Sequence, residues 1–131
     1  MSLSLVHPDD INTHWVIAKR FLDKCDSDKL DADDFLPALL TGNAQLWLID
    51  DESKTIKAAG ISRISNFPKC RVLQLVALAG DDMRDWMHHI DDMIDFARKY
   101  GCAKIEATGR PGWERLFPAF KRARVRLDMT I

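Results

Sequence analysis

The sequence predicts a single α/β domain with a mixed, mostly antiparallel sheet and helices on both faces. Strand, helix and strand patterns follow one another between Arg71 and Arg110, which is typical of two parallel strands joined by a helix. A polar turn at residues 50–54 separates two apolar runs, which indicates an antiparallel hairpin. The 131 residues are 47% hydrophobic and 30% charged, a balance that suits one core. We therefore assign residues 1–131 to one domain.

The first third of the chain predicts a short strand and two helices. Leu3–Val6 is an apolar start that ends before Pro8. Residues Ile11–Cys25 carry apolar side chains three and four positions apart, which predicts one buried stripe on a helix. A second, shorter helix is predicted over Asp31–Leu40, with Thr41, Gly42 and Asn43 as its stop signal. Pro37 fits that helix only if it falls in the first turn.

Three strands follow, and the third is predicted to be the centre of the sheet. Ala44–Ile49 and Ile56–Ile64 form the hairpin, and Gly60 within it predicts a bulge or a close backbone approach. Cys70–Ala79 is almost continuously apolar, as expected of a strand that is covered on both faces.

The clearest helix in the sequence spans Met83–Ala97. Aspartates in its first turns and basic residues in its last complement the helix dipole, and Gly101 predicts its cap. Ala103–Ala107 is then a strand parallel to the central one. Trp113–Phe120 predicts a short helix broken at Pro118, and the alternation of apolar and basic residues over 122–131 predicts a half-buried final strand.

Composition and charge exclude several classes of protein. The formal net charge of −1 gives no attraction to nucleic acid or to an anionic membrane. The three cysteines are far apart and form no Cys-x-x-Cys pair, so no zinc ribbon is predicted. No apolar run approaches the ~20 residues of a membrane span. We expect a cytoplasmic protein, in the host cytoplasm or the virion if a phage encodes it.

Two polar clusters are interpreted as surface rather than as sites. His88 and Asp92 lie one helical turn apart, but their side of the helix is the polar one, so we predict no bound metal. Basic residues of the last quarter are interpreted as a solvated or internally paired face, with a partner protein as the next alternative and nucleic acid as the least favoured. They are Arg110, Arg115, Lys121, Arg122, Arg124 and Arg126.

One local segment resembles a known superfamily. Residues 96–107, FARKYGCAKIEA, look like the end of the third helix of the GNAT N-acyltransferases running into their fifth strand. The order of predicted elements resembles the same superfamily over nearly the whole chain. The loop GRPGW at 109–113 and the compact length also resemble small GNAT-like proteins encoded by tailed phages and prophages. The resemblance implies that the two parallel strands splay apart to form a cleft.

The resemblance also implies where acetyl-CoA would bind. The backbone of Val76, Ala77, Leu78 and Ala79 would align the pantetheine, and the turn after the strand would hold the pyrophosphate. Aligned without gaps, that turn falls on residues 81–86, DDMRDW, where the superfamily has a basic residue and glycines. Gly80, Arg84 and Trp86 complete the cofactor-binding residues that the resemblance implies.

Two departures from the superfamily pattern predict weakened chemistry. Asp81, Asp82 and Asp85 occupy the phosphate turn and would repel an anion. In many GNAT enzymes a tyrosine of the fourth helix protonates the leaving thiolate, and the comparable segment here, residues 114–120, has no tyrosine. The only tyrosine, Tyr100, is expected to lie far from that segment. The candidate general base is Glu106, with an aspartate near the hairpin as the alternative.

The sequence therefore supports two functions. The first is a phage-type GNAT-like protein whose acyl-CoA chemistry is weakened or lost and which acts through a protein partner or as a homo-oligomer. The alternative is an acetyl-CoA-dependent N-acetyltransferase acting on a small-molecule or protein amine.

Overall fold

Five strands form one sheet in the part of the chain that the structure describes. The computed structural model describes residues 2–25, 31–81, 90–107, 120, 121, 123, 127 and 129–131. The strands are β1 (Ser2–Val6), β2 (Gln45–Asp50), β3 (Ile56–Asn66), β4 (Arg71–Gly80) and β5 (Lys104–Ala107), and they lie side by side in chain order. The first four pair antiparallel, whereas β4 and β5 are parallel. The mixed, mostly antiparallel sheet is thus confirmed, but β3 rather than β4 is the middle of these five strands.

Helices cover both faces of the sheet, as predicted. Helices α1 (Ile11–Leu22) and α2 (Leu36–Thr41) pack with Leu46, Leu48 and Ile61 on one face, which we call the α1 face. The described part of the third helix, α3 (Ile90–Lys99), lies on the other face, the α3 face, in an apolar cluster that includes side chains of all five strands. These include Trp47, Ile64, Leu73, Leu75 and Ile105. Two apolar layers therefore enclose the sheet.

The stripe predicted for α1 is the side of the helix that is buried. Its members follow one another at intervals of three or four residues and are at most 8% exposed, so they lie on one side of a 3.6-residue helix. They are Ile11, Trp15, Ala18 and Leu22. The helix ends three residues before the predicted boundary at Cys25, because the chain turns from Asp23 onward.

The second predicted helix is split into two pieces. Residues Ala32–Phe35 form a 3₁₀ turn, and α2 proper begins at Leu36, which places Pro37 in the first turn. A capping box starts the 3₁₀ turn: the side chains of Asp31 and Asp34 accept hydrogen bonds from each other's backbone N–H groups. The helix ends at Gly42, whose φ of 80° is the left-handed conformation that favours glycine.

Asp33 ties the segment before α2 to the middle of α1. Its Oδ1 accepts a hydrogen bond of 3.0 Å from Trp15 Nε1, and its Oδ2 accepts one of 2.7 Å from Lys19 Nζ. The hydrogen bond from Lys19, followed by the one from Trp15, holds the pKa of Asp33 below its ordinary value. The same hydrogen bond raises the pKa of Lys19.

Arg71 joins the end of α3 to the beginning of β4. Its Nη1 donates to the carbonyl oxygen of Tyr100 at 2.7 Å, and its Nε donates to Asn66 Oδ1 at 2.7 Å. One guanidinium thus stabilises both the C-terminus of the helix and the turn between β3 and β4. Gly101, at φ 75°, ends the helix as the sequence predicts.

Two predictions for the last quarter are tested only in part. Most of the predicted helix 113–120 lies outside the described residues, and Phe120 packs near Ile49 and Ala58. In the tail, the described positions lie outside regular strands, and Leu127 and Met129 are 89% and 84% exposed. At these positions the predicted half-buried strand is therefore wrong. Among the helices described, none is both long and apolar enough to cross a membrane.

Candidate functional site

Strands β4 and β5 pair over only part of the length of β4. Their parallel register joins Val72 to Lys104 and ends at Leu75 and Ala107, which is also where the described part of β5 ends. β4 runs on for five more residues to Gly80 and over that length keeps its antiparallel pairing with β3. Among the described residues, the edge of β4 over 76–80 that faces away from β3 is therefore not paired with a strand.

A β-bulge lies at the point where this pairing ends. The partners of β4 on β3 pass from Ile61 opposite Ala77 to Ser62 opposite Leu75, so Val76 is an extra residue on β4. Val76 and Ala77 consequently both pack on the α1 face, whereas Leu75 and Leu78 pack on the α3 face. The bulge reverses the alternation of side chains in the middle of β4.

Gly60 faces this bulge from β3. A Cβ on Gly60 would meet Leu78 Cδ1 at 3.2 Å and the carbonyl oxygen of Ala77 at 3.3 Å. Both distances are tighter than ordinary van der Waals contact. The predicted close backbone approach at Gly60 is therefore confirmed, whereas the bulge lies one pair further along, with its extra residue on β4.

The structure brings together five of the seven predicted cofactor-binding residues. Val76, Ala77, Leu78, Ala79 and Gly80 are consecutive and half-buried along the unpaired edge. In an antiparallel pair, alternate backbone groups point away from the partner strand. Over 76–80 these groups are placed to bond an extended ligand as a neighbouring strand would. Arg84 and Trp86 lie outside the described residues.

Gly80 has a structural reason to be glycine. It is the last residue of β4 and pairs with Ala58. A Cβ on Gly80 would overlap the side chain of Ala58 and would lie 2.7 Å from the carbonyl oxygen of Lys57. The close approach of β3 therefore explains this glycine without a phosphate ligand.

Asp81, the first residue of the predicted phosphate turn, is held by its backbone and paired through its side chain. Its N–H donates to the carbonyl oxygen of Lys57 at 2.9 Å, which extends the β3–β4 ladder by one bond. Its Oδ1 lies 3.8 Å from Lys24 Nζ, and both side chains are more than half exposed. An ammonium thus accompanies the first of the three carboxylates, which reduces its repulsion of an anion. Residues 82–86 lie outside the described part of the chain.

Glu106, the candidate base, lies just before the end of the described parallel pair. It is exposed, and its Oε1 is 3.4 Å from Lys104 Nζ. Across the strands it is in register with Gln74 of β4. Gln74 Oε1 accepts hydrogen bonds from Arg63 Nε at 3.0 Å and from Ser65 Oγ at 2.8 Å. Glu106 therefore ends a row of polar side chains that crosses β3, β4 and β5.

Sequence reasoning named Glu106 but missed its neighbours in this row. Gln74 was visible as a polar residue within an apolar run. Lys104 was also visible, because residues two apart on a predicted strand lie on the same face. Arg63 gave no signal, because only the strand register places it beside Gln74.

Tyr100 lies at the other end of β4 from the bulge. Its carbonyl oxygen is bound by Arg71, the first residue of β4, and its ring packs 4.7 Å from that of Phe96. Val76 is five residues further along the strand, a distance of roughly 16 Å at ~3.3 Å per residue. The distance of Tyr100 from the segment 114–120 stays a prediction, because residues 114–119 lie outside the described part of the chain.

No metal-binding group is present among the residues that the structure describes. Within those ranges, no three His, Cys, Asp or Glu side chains are grouped so that they could hold an ion. His88 lies outside the described residues, so the structure does not test whether His88 and Asp92 could share an ion.

No protein-family model matches the chain, and no curated protein matches its sequence. The architecture, by contrast, matches solved acetyltransferases over their whole length. A probable acetyltransferase superposes with a TM-score of 0.72 at 10% identity, covering 100% of this chain and 97% of that one.

Two further solved acetyltransferases have the same architecture. A predicted acetyltransferase from Clostridium acetobutylicum, solved with acetyl-CoA, has a TM-score of 0.69 at 15% identity, covering 98% of this chain and 95% of that one. Glucosamine-6-phosphate N-acetyltransferase from Arabidopsis thaliana has a TM-score of 0.64 at 11% identity and 99% coverage of both chains. This chain has the GNAT fold.

The GNAT fold makes sense of the unpaired edge of β4. The resemblance stated from the sequence implies that parallel strands splay in this superfamily, and here the described pairing of β4 with β5 stops at Leu75. At 10–15% identity, these superpositions show the fold and do not show the chemistry of the site.

Proposed function

We propose that this protein binds acetyl-CoA along the unpaired edge of β4 and transfers the acetyl group to an amine. The observation that carries the proposal is that, over the described residues, β5 pairs with β4 only as far as Leu75 while β4 continues to Gly80. The backbone groups exposed along 76–80 suit the amides of an extended pantetheine arm, which bond as a strand does. Val76 and Ala77 are half-buried, so their backbone groups are partly shielded from competing water.

The chain offers groups for each part of this reaction. The thioester supplies an activated acyl group; the amine forms the new C–N bond, the C–S bond breaks, and the thiolate leaves. Backbone N–H groups at the bulge are candidates to stabilise the carbonyl oxygen as it gains negative charge. Glu106 is placed one strand away from Gln74, near the mouth of the cleft, and can accept the proton of the amine through water.

Electrostatics at the end of β4 predict modest affinity for the cofactor. Lys24 offsets the charge of Asp81, but the sequence adds Asp82 and Asp85 to the same turn. An exposed ion pair is screened by salt and contributes little by itself. We therefore expect acetyl-CoA to bind in the micromolar range. At low salt, where the repulsion is least screened, its affinity should be lower than that of a protein with a glycine-rich turn.

A second candidate function is favoured by the position of Tyr100. The only tyrosine contacts the first residue of β4, at the other end of the strand from the bulge, so the leaving thiolate has no tyrosine beside it to protonate it. This supports a GNAT-like protein, of the phage type that the sequence resembles, whose acyl transfer is weakened or lost and which acts through a protein partner.

The proposal is tested by titrating acetyl-CoA into the purified protein by calorimetry, followed by mass analysis of amine substrates after incubation. Coenzyme A and adenosine 3′,5′-bisphosphate serve as ligand controls, because the second lacks the pantetheine arm. Micromolar binding of acetyl-CoA and of coenzyme A, weaker binding of the bisphosphate, and formation of the acetylated amine would support the proposal. A ligand excess of about 100 Kd should also stabilise the fold by about 2.7 kcal/mol.

The two candidate functions give different results in this experiment. No binding at millimolar acetyl-CoA would overturn the proposal. Binding without acetyl transfer to any of a panel of primary amines would favour the second candidate.

A further inference from the structure

Strand β1 forms one end of the described sheet and has an uncharged, partly apolar edge. Its residues Ser2–Val6 pair with β2 and with no other strand among the described residues. Such an edge presents unpaired N–H and C=O groups, and natural proteins usually protect it with charges, proline or a bulge. The sequence SLSLV contains no charge and no proline, and its register with β2 is regular from Ser2 to Val6.

An exposed leucine lies on this edge. Leu5 is 44% exposed and stands opposite Trp47, so it lies on the α3 face. Leu3, two residues earlier, lies on the same face and packs at the margin of the apolar clusters there. The apolar layer of the α3 face therefore reaches the edge of the sheet and is only partly covered at Leu5.

We propose that β1 is the interface of a homodimer in which two copies pair antiparallel through this edge. A two-fold axis through Ser4 pairs Ser4 with the partner's Ser4, and Leu3 with the partner's Leu5. Both leucines lie on the same face, so each exposed Leu5 is covered by a leucine of the other copy. The two sheets then continue as one.

The charge of the edge favours a second copy as the occupant. Two-fold pairing brings identical side chains together, which is unfavourable for a charged strand because like charges repel. An edge without charge avoids this repulsion. The carboxylate of Asp50 accepts a hydrogen bond from Ser2 Oγ and belongs to β2, on the side of β1 away from the free edge.

The dimer is tested by sedimentation velocity over a range of protein concentrations, independently of any acyl-CoA activity. Leu5→Lys places a charge on the edge and is expected to weaken the dimer at least about tenfold. Val16→Lys is the matched control, because Val16 is 68% exposed and lies on α1, away from the edge. Far-UV circular dichroism checks that both variants are folded.

We expect the wild-type protein and Val16→Lys to be dimers and Leu5→Lys to be a monomer. A wild-type monomer at about 200 μM, a Leu5→Lys variant that stays dimeric, or loss of the dimer in Val16→Lys would each overturn the proposal. Amide hydrogen exchange adds an independent check, since β1 should show protection at consecutive residues in the dimer and at alternate residues in a monomer.

Discussion

Trp47 Nε1 donates a hydrogen bond of 2.8 Å to the Oγ of Ser62, a side chain with no exposed surface. The Ser62 hydroxyl in turn donates to Gln45 Oε1 at 2.8 Å. The indole packs edge-on against Phe96 of α3, with ring centroids 5.2 Å apart. The buried hydroxyl of Ser62 therefore bonds both the indole N–H of Trp47 and the side-chain oxygen of Gln45, two residues of β2.

Replacing Ser62 with alanine should destabilise the fold. The indole N–H would be buried without a partner, and Gln45 would lose a donor, at a cost of about 1–3 kcal/mol. Chemical denaturation measures the free energy of unfolding. Ser53→Ala is the control, because Ser53 is exposed in the β2–β3 turn and should change stability by less than about 0.5 kcal/mol. Equal effects of the two substitutions would contradict the prediction.

Gly80→Ala should destabilise the protein because there is no space for the added methyl group. That group would overlap Ala58 and lie 2.8 Å from its Cα, and overpacking of this kind costs typically 1–3 kcal/mol, so we expect about that loss. Ala58→Gly removes one of the clashing atoms. In the double variant part of the loss should therefore be recovered, measured by the same denaturation experiment. Strictly additive effects would argue against a direct contact.

The Asp33–Lys19 ion pair predicts a pH dependence of stability. Because the pKa of Asp33 is lowered in the folded protein, the pair stabilises the fold above the unfolded-state pKa of about 3.9. This stabilisation is lost as the pH falls through the folded-state pKa. The difference in Tm between wild type and Asp33→Asn should therefore be constant from about pH 7 to pH 5 and shrink below about pH 4.

Two controls accompany the pH series. Glu52→Gln, which removes an exposed carboxylate in the β2–β3 turn, is measured alongside as the control. Trp15 fluorescence should respond in Asp33→Asn, because Trp15 Nε1 donates to the same carboxylate. A Tm difference that persists unchanged to about pH 2 would contradict the assignment.

Asp81→Asn should strengthen the binding of acetyl-CoA if the cofactor lies along β4. Removing one negative charge about 4 Å from a phosphate is worth about 1 kcal/mol in water, or roughly fivefold in Kd. Calorimetry at low salt measures the change, which should decrease as salt is added. Asp95→Asn makes the same change of charge on the exposed side of α3 and should leave Kd unaltered. An unchanged Kd in Asp81→Asn would refute the electrostatic account of the turn.

The elements that could be predicted from the sequence are those with a periodic pattern. The buried stripe of α1 and the β2–β3 hairpin were predicted from spacing and turn residues alone, and both are confirmed. The parallel pair of β4 and β5 was predicted from the helix between them. The 3₁₀ turn before α2 was not, because the capping box of Asp31 and Asp34 resembles an ordinary helix start in the sequence.

The parts of the site that were missed depend on strand register. Val76 lies in an apolar run without alternation, so no pattern could indicate the extra residue on β4. Gln74 and Arg63 meet because their strands are aligned at that pair, a contact that sequence spacing does not encode. The pairing of Lys24 with Asp81 joins residues 57 positions apart, and the fold alone brings them together.

The bulge at Val76 makes the number of residues in β4 as important as their type. Deleting Val76 itself would remove the extra residue, so that Ala77 would follow Leu75 and Leu78 would stay on the α3 face. A deletion or insertion of one residue elsewhere in β4 would instead turn every position on one side of it to the opposite face of the sheet. Loss of one residue should therefore be tolerated better at the bulge than anywhere else in this strand.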